Sequence, residues 1–552
     1  MAASESADGV RVRWLVAGAF RPSPSGARFK VSPATFGEVL EGAGLRVDVE
    51  INDRLGADAK RRYSLSFSSL KAFQVNELVA THPLLKGLSE LSQALGQADA
   101  TKRPEASAAV ARVVELVGDG KLAATLRAKL NVTAPAAQGA APKADAPAAS
   151  GSMLDELVGA PVAPAAPQTP TAAVSSFIKA MRPSGGTAAV TAGVGRAGRD
   201  VLEAELYATA VELLNAPEAA AVERAWRSLK LVVDSAPVGS GMQIEVLDVA
   251  AGDAAEALRG ALPEVPEEEG PDALFVFDAV NSQEALTTLA NLGADADAPV
   301  VVSVTEALFG QDVQAVGAKI EADDGSLPAW WSELRADEAS RWLAVAFNRP
   351  VLRMEGTGSA KRVVFGHASA ALAAMLASSY HRSGAFARIL GATGALKTGG
   401  AYELPVGRDA GMLVPTEAFL SIRAQTRLNE LGIIGLGSSR NSDVLVLSAA
   451  STVRGGSDLV PLSAQVLTGR IVRFARWVLA QLPAGAEEAE VKLLFEQASE
   501  VFLFPSARES ARLEAQVVAA EGGARQVVLQ VSARADLAGI PFHLGFALPL
   551  KG

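Results

Sequence analysis

A segment dominated by alanine and proline divides this 552-residue chain into two unequal parts. Residues 132–175 consist of Ala/Pro repeats on both sides of one amphipathic stretch, residues 152–158. Repeats of this kind offer few side chains to bury and favour extended linker conformations. We therefore predict a small N-terminal module at residues 1–131, a linker with an embedded helix at residues 132–175, and a large unit at residues 176–552.

The N-terminal module carries the signals of strands followed by helices. Apolar and polar residues alternate at positions 47–51 and 63–67, which predicts two half-buried strands joined by a long polar hairpin. Residues 12–17 predict a further strand, and helical patterns follow at residues 75–91 and 110–130. This order indicates a compact α+β module.

The large unit mixes buried strands with amphipathic helices. Apolar side chains recur at helical spacing from residue 222 to 233, and the apolar runs at 274–277 and 300–304 flank a helical stretch, the pattern of a buried βαβ unit. Another helix is predicted at residues 467–482, and the chain ends in strands, the last at 542–550. The predicted fold class is therefore mixed α/β, with several domains and strands at the C-terminal end.

Composition argues against several kinds of chemistry. The chain has no cysteine and four widely spaced histidines, so we expect no disulfide, no metal centre and no cysteine nucleophile. The formal charge of −10 argues against general affinity for nucleic acid or anionic membranes. Every stretch long enough for membrane insertion contains charges. We expect a cytoplasmic protein without a cofactor.

Two glycine-rich segments approach nucleotide-binding motifs without completing them. Residues 193–198 match G-x-G-x-x-G by spacing, but no apolar strand precedes them, which favours a flexible connector. Residues 391–398 have Leu396 where a phosphate loop requires a glycine before Lys397, which favours a turn-rich connection.

Two charged features leave alternatives open. Asp278 ends an apolar strand, where α/β proteins place ligands, but residues 281–282 equally predict a helix cap. Arg470, Arg473 and Arg476 form a stripe on a predicted helix, either a solvated face or a protein-facing surface. No nucleophile, base and orienting residue are recognisable as a set, so we expect no enzyme.

Several segments, taken in order, resemble the large sheath subunit of the type VI secretion system. Residues 223–237 (ERAWRSLKLVVDSAP) are similar to its Glu-x-x-Trp-Arg-Gly-Leu helix, with Ser228 in place of the glycine. Residues 330–354, 414–436 and 541–550 resemble three later segments of that subunit, with some exchanges of residue order. The resemblance implies a polymerising structural protein.

The N-terminal module resembles the small sheath subunit of the same system. Residues 29–53 and 61–91 are similar to its strand, hairpin and F-x-S-x-x-x-F pattern, carried here by Phe67, Ser69 and Phe73. The chain therefore looks like a fusion of two subunits that form a heterodimer elsewhere. The resemblance implies a helical homopolymer in the bacterial cytoplasm that surrounds an inner tube protein, contacts baseplate components and drives secretion by contraction.

Two other classes stay open. A sheath from a phage-tail-like contractile particle would share the large unit but should lack the small module. An α/β nucleotide-binding enzyme would depend only on Asp278 and the incomplete glycine loops.

Three short segments are predicted to make protein–protein contacts. The terminal strands each have an apolar face and are suited to joining the sheet of a neighbouring subunit. The stretch at 152–158 has an apolar stripe with no core beside it, which favours a groove in a partner, and the resemblance implies a Clp-family AAA+ unfoldase; the alternative is packing on its own large unit. The predicted interaction residues are Val12, Trp14, Val16, Met153, Leu154, Leu157, Val158, Phe542, Leu544, Phe546 and Leu548.

Overall fold

The structure is a computed structural model, and it describes residues 11–96, 106–132, 192–266, 269–323, 327–456, 459–483, 485–504, 509–519 and 525–550. The predicted embedded helix at 152–158, and nearly all of the predicted linker, lie outside these ranges. Within them the predicted class is confirmed: the chain is mixed α/β and divides into more than one compact unit.

The strands of the described residues lie in both halves of the chain. They are β1 Val12–Gly18, β2 Arg28–Val31, β3 Leu45–Asn52, β4 Lys60–Phe67, β5 Met242–Asp248, β6 Ala273–Ala279, β7 Val300–Ser303, β8 Leu343–Phe347, β9 Val351–Glu355, β10 Arg362–Phe365, β11 Leu396–Lys397, β12 Tyr402–Glu403, β13 Leu413–Val414, β14 Ile433–Gly435, β15 Gly437–Ser438, β16 Val444–Val446, β17 Ala511–Ala519, β18 Arg525–Ala533 and β19 Phe542–Pro549.

Helices connect and cover these strands. They are α1 Phe36–Gly42, α2 Val75–Thr81, α3 Pro83–Gly96, α4 Ala106–Val117, α5 Lys121–Leu130, α6 Ala192–Asn215, α7 Pro217–Ser235, α8 Ala254–Ala261, α9 Gln283–Asp295, α10 Val313–Glu321, α11 Trp330–Ala336, α12 Ala368–Ser383, α13 Ile422–Glu430, α14 Leu462–Gln481, α15 Glu488–Ala498 and α16 Ala535–Ala538. Single 3₁₀ turns lie at Leu262–Glu264, Glu306–Phe309, Glu338–Trp342, Gly358–Ala360 and Gly391–Gly394, and a π turn at Ser499–Leu503.

The first compact unit takes in residues 1–51, 61–78 and 210–552, and the second takes in residues 52–60 and 79–209. This grouping differs from the predicted division at residues 131 and 176. The physical reason is that β1 and β2, from the predicted small module, pair with β5 and β6 of the predicted large unit.

The centre of the first unit is a seven-stranded sheet in the order β14–β8–β7–β6–β1–β5–β2. All neighbouring strands are parallel except β2, which runs antiparallel to β5 at one edge. Strands β7 and β8 are buried along their whole length, as expected for a parallel sheet covered on both faces. The predicted βαβ unit is confirmed as β6, α9 and β7.

Helices cover both faces of this sheet. One face packs against α8, α9, α10, α11 and α13 in a single apolar core. Helix α12 packs on β6, β7 and β8 and also against α7. The predicted helix at 222–233 is confirmed as part of α7, where Trp226 is fully buried and its indole N–H donates to the Phe20 carbonyl at 2.8 Å. This bond ties α7 to the segment after β1.

The second unit contains α3, α4, α5 and the first part of α6. The predicted flexible connector at residues 193–198 is wrong, since these residues lie within α6. A Cβ atom at Gly198 would lie 2.9 Å from the Leu130 side chain and 3.3 Å from that of Leu95. Glycine at position 198 therefore permits close helix packing, and the segment lies inside a helix instead of forming the loop of a nucleotide-binding motif.

Candidate functional site

The C-terminal strands form a separate three-stranded antiparallel sheet within the first unit, in the order β17–β18–β19. One of its faces packs on α14 and α15 through a continuous apolar core that includes Phe495, Val527, Leu529 and Phe542. The prediction that the chain ends in strands, the last at 542–550, is confirmed by β18 and β19. One face of the sheet is therefore held in place by the helices α14 and α15.

Both outer strands of this sheet have an unpaired edge within the described part of the chain. Strand β18 hydrogen-bonds to both neighbours, whereas β17 and β19 pair with β18 alone. The ladder between β18 and β19 runs without a bulge from Gln526↔Pro549 to Ala533↔Phe542. Long, regular edges expose main-chain donors and acceptors that can pair with another chain.

The register shows which main-chain groups of β19 face outward. Leu550 N–H donates to the Arg525 carbonyl at 2.9 Å, so this is a hydrogen-bonded pair. Alternate residues of a strand direct their main-chain groups to opposite sides, so the N–H groups of His543, Gly545 and Ala547 face the free edge. Pro549 also falls on that side, where the missing N–H costs β19 no bond to β18.

The side chains predicted as β19 contacts turn towards their own core. Phe542 is buried, and Leu544, Phe546 and Leu548 are partly buried against the same apolar core. The part of β19 that is accessible to a neighbour is therefore its main-chain edge. These side chains hold the strand against its own core.

The N-terminal strand lies in the interior of the chain's own seven-stranded sheet. β1 is hydrogen-bonded to β5 on one side and β6 on the other, and Val12, Trp14 and Val16 are at most 1 % exposed. Trp14 also contacts Phe275, with ring centroids 4.7 Å apart. We expected this strand to join a neighbour's sheet, but in the structure it has no free edge, because its apolar residues on both faces suit a central position.

The remaining predicted contact residues, Met153, Leu154, Leu157 and Val158, lie outside the described residues. Their role stays a prediction.

The arginine stripe on α14 makes ion pairs within the unit instead of a solvated face. Arg473 donates to both carboxylate oxygens of Asp272 at 2.7 and 3.0 Å, and to the Arg11 carbonyl at 2.6 Å. Arg470 lies 3.8 Å from Asp272, and Arg476 pairs with Asp297 at 2.6 Å. Of the two alternatives, the solvated face is therefore wrong: the stripe faces the chain's own residues and holds α14 to the amino ends of β1 and β6.

A second buried ion network was not foreseen from the sequence. Glu223 is fully buried and accepts hydrogen bonds from Arg227 and Arg362. The same two guanidinium groups donate to the carbonyls of Leu70 and Phe73, at 3.1 and 3.3 Å. The Glu-x-x-Trp-Arg pattern signalled that α7 matters, but nothing in the sequence pointed to Arg362 as its partner. This network ties the segment after β4 to α7.

The two possible nucleotide-binding features have structural roles. Asp278 accepts hydrogen bonds from the main-chain N–H groups of Gly252 and Ala279 at 2.5 and 2.8 Å, and Ser282 caps α9 as one alternative predicted. Residues 391–398 form a 3₁₀ turn and the short strand β11, so the predicted turn-rich connection is confirmed.

His367 stacks on Phe277 beneath the carboxyl end of the central sheet, with ring centroids 5.7 Å apart. Burial, together with the smaller effect of the nearby guanidinium groups of Arg224 and Arg349, lowers the pKa of this imidazole to about 3. The side chain is therefore neutral in the folded chain throughout the physiological range.

This depressed pKa makes folding stability depend on pH. Below pH 6.5 the unfolded chain binds a proton at residue 367, whereas the folded chain does not bind it until about pH 3. The free energy of unfolding therefore falls by about 1.4 kcal/mol for each pH unit between these two values. We expect His367→Phe, which keeps the ring stack, to lose this contribution. Urea titrations at pH 7 and pH 5 should show a smaller acid destabilisation for the variant, by about 2 kcal/mol. Equal destabilisation of both proteins would contradict a neutral His367.

The described residues hold no group of three or more acidic or histidine side chains arranged to bind a metal ion. Among the described helices, none combines the length and apolarity that crossing a membrane requires.

Comparisons with known proteins give distant structural similarities. No protein-family profile and no curated protein matches the sequence. The contracted helical sheath of the anti-feeding prophage aligns with a TM-score of 0.31 and 10 % identity, over 59 % of this chain and 78 % of the sheath chain. The contracted sheath complex of PVC, an extracellular contractile injection system, aligns with a TM-score of 0.32 and 11 % identity, over 60 % and 77 % of the two chains.

Proposed function

We propose that this chain is a structural subunit that polymerises into the helical, contractile sheath of a secretion apparatus. The observation that carries the proposal is the free edge of the C-terminal sheet. Its eight-residue strand β19 packs on the apolar core through one face, and the main-chain N–H groups of His543, Gly545 and Ala547 face outward at the edge. An edge like this pairs with a strand from a second copy by main-chain hydrogen bonds. A contact between two different surfaces generates a helical filament when its rotation does not close into a ring.

The ordered sequence resemblance supports a finer version of this proposal. The apparatus is a type VI secretion system, the chain unites its small and large sheath subunits, and the polymer works in the bacterial cytoplasm. Its partners are an inner tube protein, baseplate components and a Clp-family AAA+ unfoldase. Negative-stain microscopy of the purified chain tests the core of the proposal: hollow tubes of uniform diameter support it, and discrete small particles at every concentration oppose it.

The two halves of the chain should associate when they are made as separate polypeptides. Residues 1–142 supply β1 and β2, and without them the sheet of residues 143–552 has a gap between β5 and β6. We expect the two fragments to co-purify from co-expressing cells, and residues 143–552 alone to be insoluble. A covalent linker only raises the effective concentration of one half relative to the other, to roughly millimolar for a short flexible tether. Two fragments that are each soluble but do not co-purify would contradict the fusion interpretation.

The segment at residues 152–158 is the proposed recognition site for the unfoldase. Leu154→Asp combined with Leu157→Asp places charges on its apolar stripe, so we expect the sheath to assemble while unfoldase pull-down is lost and contracted sheath persists. Ala163→Asp combined with Ala166→Asp adds the same charge nearby in the linker and should leave the pull-down intact. Retained pull-down in the leucine variant would rule out this site.

A further inference from the structure

An apolar groove on the first unit lies between the start of α13 and the strands β15 and β16. Its volume is about 600 Å³, which is within the range of ligand and peptide pockets. Phe419 and Leu447 form part of its lining, together with Ile422, which is 74 % exposed. An isoleucine this exposed beside other apolar side chains marks a surface that a partner can cover.

Two hydroxyl groups in the groove have no hydrogen-bond partner among the described residues. Ser438 Oγ and Ser448 Oγ are both buried, and both residues line the groove. Buried hydroxyls are normally hydrogen-bonded, and each of these two can both donate and accept. The surface that covers the groove therefore needs a polar side chain among its apolar ones.

The rim of the groove is basic. Arg423 is exposed on the first turn of α13 and makes no ion pair within the described part of the chain. The Arg440 guanidinium lies 5.6 Å from the centre of the Phe419 ring, and its ion pair with Asp409 is long, at 3.7 Å. The groove therefore suits an occupant that combines apolar side chains, a polar group and a carboxylate.

Helix α15 and the π turn that follows it carry a surface of this kind. Leu493, Gln497 and Val501 recur at every fourth position, so they lie on one face, and all three are exposed. The two apolar side chains are each 54 % exposed. Glu490 precedes Leu493 by three positions and is exposed on the same face. These four residues, which we call the α15 stripe, supply the apolar, amide and acidic groups that the groove requires.

We propose that the α15 stripe of one copy of this chain binds in the groove of a second copy. The two apolar side chains of the stripe cover Ile422 and remove it from water. The Gln497 amide, which has both donors and an acceptor, meets the two serine hydroxyls. The Glu490 carboxylate pairs with the Arg423 guanidinium at the rim.

A second copy is the occupant because the chain itself carries the surface that complements the groove in charge and polarity. The stripe is exposed in one copy, so it is accessible to another. The groove and the stripe are different surfaces, so the contact is head-to-tail and can repeat along a filament. As a contact of the polymer it rests on the proposed function, and it adds a side-chain contact to the main-chain edge of β19.

The absence of cysteine from the sequence allows a direct test by cross-linking. Ala489→Cys places a thiol beside the stripe, and Ser439→Cys places one in the groove; both positions are exposed. The two single-cysteine variants are mixed and treated with a short bis-maleimide, and a tag on one of them identifies the mixed dimer on a denaturing gel. We expect this dimer to form at least about tenfold faster than from Ala489→Cys mixed with Val238→Cys, because binding raises the effective concentration. Val238 is 77 % exposed and does not line the groove.

Substitutions on each surface test whether the contact is the one proposed. Ile422→Asp in the groove copy, or Leu493→Asp in the stripe copy, should abolish the rate advantage. Both side chains are mostly exposed, so the chain should stay folded, which circular dichroism checks. Val406→Asp is the matched control, because Val406 is 57 % exposed and lies outside the groove, and it should keep the advantage.

The result for this contact is distinguishable from the result for the sheath. Microscopy of the unmodified chain reports whether tubes form, and the cross-linking rates report whether the stripe meets the groove. A rate advantage without tubes would support the contact and oppose the sheath function. Equal rates for the two mixtures, or an advantage that survives both aspartate substitutions, would overturn the contact whether or not tubes form.

Discussion

Ala547→Pro should raise the concentration needed for tube elongation roughly tenfold while the purified chain stays folded. Ala547 is exposed, and its N–H faces the free edge of β19, so proline removes a donor that β18 does not use. One lost main-chain hydrogen bond costs about 1 kcal/mol net, and the proline ring adds a steric penalty against an incoming strand. About 1.4 kcal/mol per contact corresponds to a tenfold change in affinity. Sedimentation of the polymer over a concentration series measures this shift.

Ala547→Val is the matched control for this edge. Valine has a larger side chain at the same exposed position but keeps the N–H, so we expect tubes at the normal concentration. Deleting residues 541–552 also removes the edge, but it takes Phe542 and Leu550 out of the C-terminal core, so lost assembly would have two causes. If both Ala547 variants assemble like the unmodified chain, β19 is not the polymerising edge.

Much of the local structure could be predicted because its signals are local. The unbroken alternation at 542–550 predicted β19, and the two apolar runs around a helical stretch predicted β6, α9 and β7. The hairpin strands β3 and β4 were predicted in the same way and pair with each other. In each case neighbouring residues within about ten positions carry the pattern, so no knowledge of distant contacts is needed.

The misjudged features depend on partners far away in sequence. From the sequence alone, Arg470 and Arg473 are compatible with a solvated helix face. Their partner is Asp272, which lies 201 positions before Arg473 in the sequence. A buried guanidinium is stable only with a paired carboxylate, and sequence spacing does not reveal that pairing. The proposed pairing of the outward edge of β19 likewise involves a second chain, so its partner strand cannot be read from the sequence of one chain.

The position of β1 was misjudged for a different reason. Arg11 and Arg13 suggested a strand with one polar face, but the run WLVA that follows is apolar on both faces, which is typical of a central parallel strand. Arg13 lies near the start of the strand, where its guanidinium donates to the Glu269 carbonyl at 2.9 Å. The charged residue thus lies at the end of the sheet while the rest of β1 crosses its centre.

Trp14→Asp should lower the free energy of unfolding by at least about 4 kcal/mol and so unfold the central sheet. The substitution removes a buried aromatic side chain and introduces an unpaired charge. Trp14 is 1 % exposed, it contacts Phe275, and its strand is bonded on both sides. We expect loss of the circular-dichroism signal, rapid proteolysis and no tubes. Trp14→Phe keeps most of the apolar volume and should cost far less, as urea titration will show.

Val238→Asp provides the control for an added charge, since Val238 is 77 % exposed and its substitution should leave the urea midpoint nearly unchanged. The decisive contrast is between folding and assembly. If Trp14→Asp gives a folded, protease-resistant chain that fails to elongate, β1 belongs to a neighbour's sheet in the polymer, because only an exchanged strand can be lost without opening the chain's own core. If the chain unfolds, β1 is the strand that joins the two halves of the sequence into one sheet.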